Sequence, residues 1–130
     1  NITRIKQIRN DVTNLQYAFA KCESLVSVDT INFNNRNKIK NAEYLFGYCY
    51  NLTSIDITKW NLKNIDYISG LFSDCNSLKT IIGIEDLDIS DTIDASYMLS
   101  GTAITTLDVN TATNTDLTTI ICMLYKSMLN

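Results

Sequence analysis

The sequence contains no histidine. A Ser-His-Asp triad, a Cys-His pair and a histidine metal site are therefore excluded within it. It also contains no proline and only 4 glycines. Flexible linkers and low-complexity stretches are absent with them. No apolar run approaches the roughly 18 residues that a membrane span needs. Cationic excess is missing too: 11 Lys and Arg face 14 Asp and Glu, a net charge of -3. That balance argues against a partner held through nucleic-acid phosphates. Asn1 opens the chain without a charged-then-apolar leader, and the chain reads as a piece of something longer.

Apolar residues make up 45% of the 130 residues, enough for the core of one domain. They recur. Residues 51–78, NLTSIDITKWNLKNIDYISGLFSDCNSL, form the clearest unit. Leu52, Ile55 and Ile57 read as a strand, Trp60 and Asn61 as a turn. Ile65, Ile68, Leu71 and Phe72 follow at helical spacing. A unit of about 26 residues cannot bury both apolar faces alone, so copies must stack.

The copies align over the whole chain. Phe19, Phe46, Phe72, Leu99 and Leu124 form one column at intervals of 27, 26, 27 and 25 residues. Ala18, Leu45, Leu71, Met98 and Met123 form the next. The offsets i, i+3, i+6 and i+7 persist, and a helix would turn these residues to one side. Thr13, Asp66, Asp94 and Thr118 suit N-caps of such helices. Strand columns agree: Leu25 and Val28 match Leu52 and Ile55, then Leu78 and Ile81, then Ile104 and Leu107. Copy three has a longer passage, where Gly83 suits a bend or bulge. The expected organisation is one repeat domain over 1–130, cut from a longer chain. Its units are roughly 1–25 (partial), 25–51, 52–77, 78–103 and 104–130. Neither end carries a polar cap, so flanking-domain or end-to-end contacts are expected there.

The unit at 51–78 resembles the 26-residue repeat of bacterial surface proteins, the BspA-like branch of the leucine-rich repeats. Tyr97-Met98-Leu99-Ser100-Gly101-Thr102-Ala103-Ile104 is similar to that repeat's variant in which Gly-Thr-Ala replaces the cysteine. Gly83-Ile84-Glu85-Asp86-Leu87 resembles a variant of its turn. The resemblance implies an α/β fold: a leucine-rich-repeat-like solenoid with a parallel sheet on one side and short helices on the other. It further implies a secreted or cell-surface location, as for mycoplasma lipoproteins, adhesins and parasite surface proteins.

Candidate sites follow from the same columns. Between the inward strand residues, Ser27, Asp29, Ser54, Asp56, Thr80, Ile82, Thr106 and Asp108 point outward. The ligand-binding candidates are Ser27, Asp29, Ser54, Asp56, Thr80, Thr106 and Asp108, a row suited to a glycan or a basic protein surface. Solubility and strand propensity account for the same residues without a ligand. Cys22, Cys49 and Cys75 form a column in which equivalent side chains point in parallel. That geometry disfavours a disulfide, and the spacing is unlike paired-cysteine zinc motifs. Buried, reduced thiols are the expectation. Glu85, Asp86, Asp88, Asp91 and Asp94 lack the order and the glycine of an EF-hand loop and read as a solvated loop. Arg4, Lys6 and Arg9 form a small basic patch, and Tyr17, Tyr44 and Tyr48 an aromatic strip suited to sugars or protein. An enzyme is left open only through carboxylates, such as a glycosidase pair, and no insertion that would form a pocket for one is evident.

The functional expectation is a non-enzymatic recognition or adhesion segment with a protein or glycan ligand. It has no catalytic residues, no metal, no cofactor, no nucleic-acid partner and no membrane span. The alternative is a structural spacer or assembly module, in a virion fibre or surface layer, joined through its open ends.

Overall fold

A computed structural model describes residues 2–6, 8, 9, 11–28 and 38–106. Leu15, Leu25, Leu45, Leu52, Ile68, Leu71, Leu78, Met98 and Leu99 are all buried, and equivalent residues of successive copies form a single core. Phe19, Phe46 and Phe72 stand in a row, with ring centroids 5.7 and 6.0 Å apart. Trp60 packs on Phe46 and Phe72, 6.1 Å from each.

Among the described residues two short strands form one parallel sheet: β1 (Ser54–Asp56) and β2 (Thr80–Ile82). Their register pairs Ser54 with Thr80, Ile55 with Ile81 and Asp56 with Ile82. A parallel bridge between Ser27 and Ser54 extends the row to the preceding copy. Alternation along each strand buries Ile55 and Ile81 and leaves their neighbours outward.

The expected short helices do not form. Among the described residues there is no α-helix, only one 3-10 turn, Ile84–Asp86. The α/β expectation of a solenoid with a sheet on one side and helices on the other is overturned. The segments expected to be helical are chains of turns instead. In 15–21, the N–H groups of Leu15, Tyr17, Phe19 and Lys21 donate to the carbonyls of Asn41, Glu43, Leu45 and Gly47 in the next copy, at 2.8–2.9 Å. Ala18 and Ala20 donate back within their own segment, to Leu15 and Tyr17. Copy two repeats this with Ala42, Tyr44, Phe46 and Tyr48, and copy three with Ile68, Gly70, Phe72 and Asp74.

The backbone angles give the physical reason. Tyr17, Tyr44, Gly70 and Tyr97 have φ of 57°, 52°, 62° and 59°. Lys21, Tyr48, Asp74 and Gly101, four residues on, have φ of 60°, 62°, 59° and 74°. A left-handed residue at every fourth position stops a right-handed helix. Two or three turns of helix are marginal alone. A neighbouring copy offering carbonyls in register satisfies the same N–H groups between copies, and helix is displaced. The helix N-caps expected at Thr13, Asp66 and Asp94 fall with the helices. Asp94 instead accepts the N–H and hydroxyl of Ser96, at 2.9 and 2.7 Å. The cap expected at Thr118 lies outside the described residues.

Candidate functional site

Four surface or subsurface arrangements bear on function. The first is the strand row. Ser27, Ser54 and Thr80 lie side by side in direct register, with Ser27 and Thr80 exposed and Ser54 half-buried. Adjacent parallel strands place such residues about 4.8 Å apart. Asp56 stands beside Ile82, which is 51% exposed, so the next row is not uniformly polar. The Thr58 hydroxyl and N–H both donate to Asp56 Oδ1, at 2.6 and 2.9 Å, and hold that carboxyl below its ordinary range. Thr106 is exposed. Asp29 and Asp108 lie outside the described residues.

The second is the tyrosine strip. Tyr17 and Tyr44 stack with centroids 5.2 Å apart and planes 6° from parallel. Tyr48 continues the stack at 6.2 Å and 7°, and Tyr50 meets Tyr48 edge-on. The Lys21 ammonium sits 6.0 Å from the Tyr48 ring centre. Burial, and then the neighbouring phenol of Tyr48, push the Tyr44 hydroxyl above its ordinary pKa. The strip named in the sequence thus exists: it runs from Tyr17 to Tyr44 between copies and from Tyr44 to Tyr48 within copy two.

The third is the cysteine column. Cys22, Cys49 and Cys75 are free thiols. Cys49 Sγ donates to the Phe19 carbonyl at 3.2 Å, and Cys75 Sγ to the Phe46 carbonyl at 3.0 Å. Each thiol therefore clamps its own copy to the preceding one. The neighbouring Cys49 thiol, and then burial, push the Cys75 thiol well above its ordinary value. Thr102, in the column's fourth position, donates instead to Leu99 of its own turn. Cys122 lies outside the described residues. Among the described residues no three His, Cys, Asp or Glu side chains converge as a metal site.

The fourth is a cleft that sequence reasoning missed. It encloses about 280 Å³ between the loop after β1 and the loop after β2. Ile57, Trp60, Leu62 and Leu87 supply its apolar surface. Asn61, Lys63, Asp86 and Asp88 supply its polar groups. Ser90 donates its N–H and hydroxyl to Asp88 Oδ1, at 3.0 and 2.7 Å, and holds this carboxyl below its ordinary range. The longer passage in copy three builds the cleft. Gly83, at φ 92°, turns the chain out of β2 into the 3-10 turn and lies hard against Thr58, where a Cβ would stand 2.9 Å from the threonine methyl. The expectation that no insertion forms a pocket is corrected here. Gly83 was the available signal, since a glycine within a strand pattern marks a bend or a close approach.

The acidic run is dispersed along loops: Glu85, Asp86 and Asp91 are exposed, while Asp88 and Asp94 cap their own turns. Arg9 pairs with Asp11 at 2.6 Å in solvent, and Arg4 and Lys6 are exposed. Among the described residues no helix is long and apolar enough to cross a membrane.

No curated protein and no solved structure matches the chain. Residues 5–127 match the model of the family described as "Mycoplasma protein of unknown function, DUF285", and the chain belongs to that family.

Proposed function

We propose that the chain is a non-enzymatic recognition segment of a cell-surface or secreted protein, and that it captures a protein or glycan ligand along its repeated outer face. The observation that carries this reading is the direct register of Ser27, Ser54 and Thr80. A ligand with its own repeated polar groups would meet equivalent hydroxyls from copy to copy. Weak contacts at each copy then sum through multivalency. The family and the likeness of 51–78 to the BspA-like repeat support a surface location. The absence of histidine from the sequence removes the commonest acid-base and nucleophile pairs.

The test is capture on an array of glycans and extracellular-matrix proteins, followed by Ser54→Arg with Thr80→Arg. Both positions flank the buried Ile55 and Ile81, with Thr80 exposed and Ser54 half-buried. Capture should weaken about tenfold or more, roughly 1.4 kcal/mol. Capture unchanged by the double variant would remove the strand row from the mechanism. A defined oligomer in light scattering, with no array signal, would favour the assembly module instead.

A further inference from the structure

We propose that the cleft between the loop after β1 and the loop after β2 is a binding site for one small, uncharged polyhydroxylated ring, a neutral monosaccharide unit. The site is separate from the strand row and does not depend on it.

Size comes first. About 280 Å³ lies at the lower edge of the about 300–1,000 Å³ usual for small-molecule sites. The space suits a single ring and not an extended chain. Next is the mixture of surfaces. A sugar ring presents apolar C–H faces and a girdle of hydroxyls, each both donor and acceptor. Ile57, Leu62, Leu87 and the indole of Trp60 supply apolar and aromatic surface for the faces. Asp86 and Asp88 accept hydrogen bonds and Lys63 donates, while the Asn61 Oδ1 is engaged by the Lys63 N–H at 3.2 Å.

Charge then narrows the class. One lysine against two aspartates leaves the cleft with one net negative charge. An anionic sugar or a free phosphate would be repelled. A cation would gain from the aspartates and lose to Lys63. A neutral ligand meets no such penalty. Finally, the site is set before any ligand arrives. Ser90 fixes Asp88 through Oδ1 with two hydrogen bonds, and neither of these bonds uses Oδ2. Trp60 is held against Phe46 and Phe72. Preorganisation of this kind reduces the ordering cost of binding.

Trp60 is the only tryptophan of the chain and lines this cleft, so all tryptophan emission comes from a residue of the site. The experiment titrates the full chain with glucose, galactose, mannose and N-acetylglucosamine, with sialic acid and inorganic phosphate as charged probes. Calorimetry runs in parallel. At least one neutral sugar should give a saturable change in emission, with a dissociation constant of about a millimolar for so small a ligand. Asp88→Asn keeps the acceptor that Ser90 needs and replaces the other oxygen with a donor. Combined with Asp86→Asn, it should weaken the response about tenfold while the circular dichroism stays unchanged. No saturable response to any neutral sugar at about 20 mM would overturn the proposal. So would a stronger response to phosphate or sialic acid, or a response that the double variant leaves intact. Strand-row variants should leave the Trp60 response unaltered, which separates failure of this site from failure of the recognition face.

Discussion

The ring of Tyr44 lies where a side chain at position 70 would begin. A Cβ on Gly70 would stand 2.5 Å from two of its ring carbons. Positions 17, 44, 70 and 97 share the same left-handed backbone, yet only position 70 is glycine. Tyrosine tolerates that backbone in the other three copies. What demands glycine in copy three is the overlying ring.

Gly70→Ala should therefore cost about 1–3 kcal/mol, combining the left-handed penalty with displacement of Tyr44. In a Tyr44→Ala background the clash is gone, and the cost should fall to about 1 kcal/mol. Urea unfolding of the four proteins measures the coupling. Equal costs in the two backgrounds would show that backbone angle alone selects the glycine.

The Cys75 thiol is buried, bonded and raised above its ordinary value of 9.0. The folded chain holds this proton where the unfolded chain releases it. The associated stability is complete below pH 9.0 and falls as pH rises beyond it, until the folded thiol itself ionises. Tyrosines titrate in the same range, so the measurement is a comparison. Urea midpoints of the natural chain should fall more steeply between about pH 9 and 10.5 than those of Cys75→Ala. The variant should also lose about 1–2 kcal/mol at pH 7, from the lost bond to Phe46 and the small void. Parallel pH profiles would refute the assignment.

Phe46 touches Phe19 on one side, Phe72 on the other and Trp60 beside it. Phe46→Ala should cost about 3–5 kcal/mol, the range for a fully buried aromatic. Phe19 is only half-buried, so Phe19→Ala should cost less. Chemical unfolding ranks the two, and Trp60 emission should shift to the red only in Phe46→Ala. A reversed ranking would place the centre of the core elsewhere.

The repeat period, the aligned aromatic column and the strand register could all be read before any coordinates. Leu25, Leu52 and Leu78 must face inward because each copy is too small to bury its own apolar face. The strand candidates at Ser27, Ser54 and Thr80 follow from two-residue alternation, which is a local property of extended chain. The Tyr17–Tyr44 pair was legible because the repeat period sets equivalent side chains of adjacent copies side by side.

The helices were a misreading of real periodicity. Offsets of i, i+3, i+6 and i+7 describe one side of a helix. They also describe the inward residues of a turn chain with a left-handed residue at every fourth position. The cysteines suffered a related ambiguity, because their column could be read but their hydrogen bonds to Phe19 and Phe46 could not. The cleft beside Trp60 was hidden because it lies between loops of two copies and depends on how far Gly83 swings the chain.

By itself, the order of residues determined which side chains face the interior and at what interval the pattern returns. Apolar groups at a fixed period leave water only by stacking, whatever the backbone between them does. Tertiary structure decided the backbone. Carbonyls of the neighbouring copy stand 2.7–3.0 Å from every second N–H along these segments. A peptide group bonds to whichever acceptor the assembled chain presents, and that choice is settled only when the copies meet.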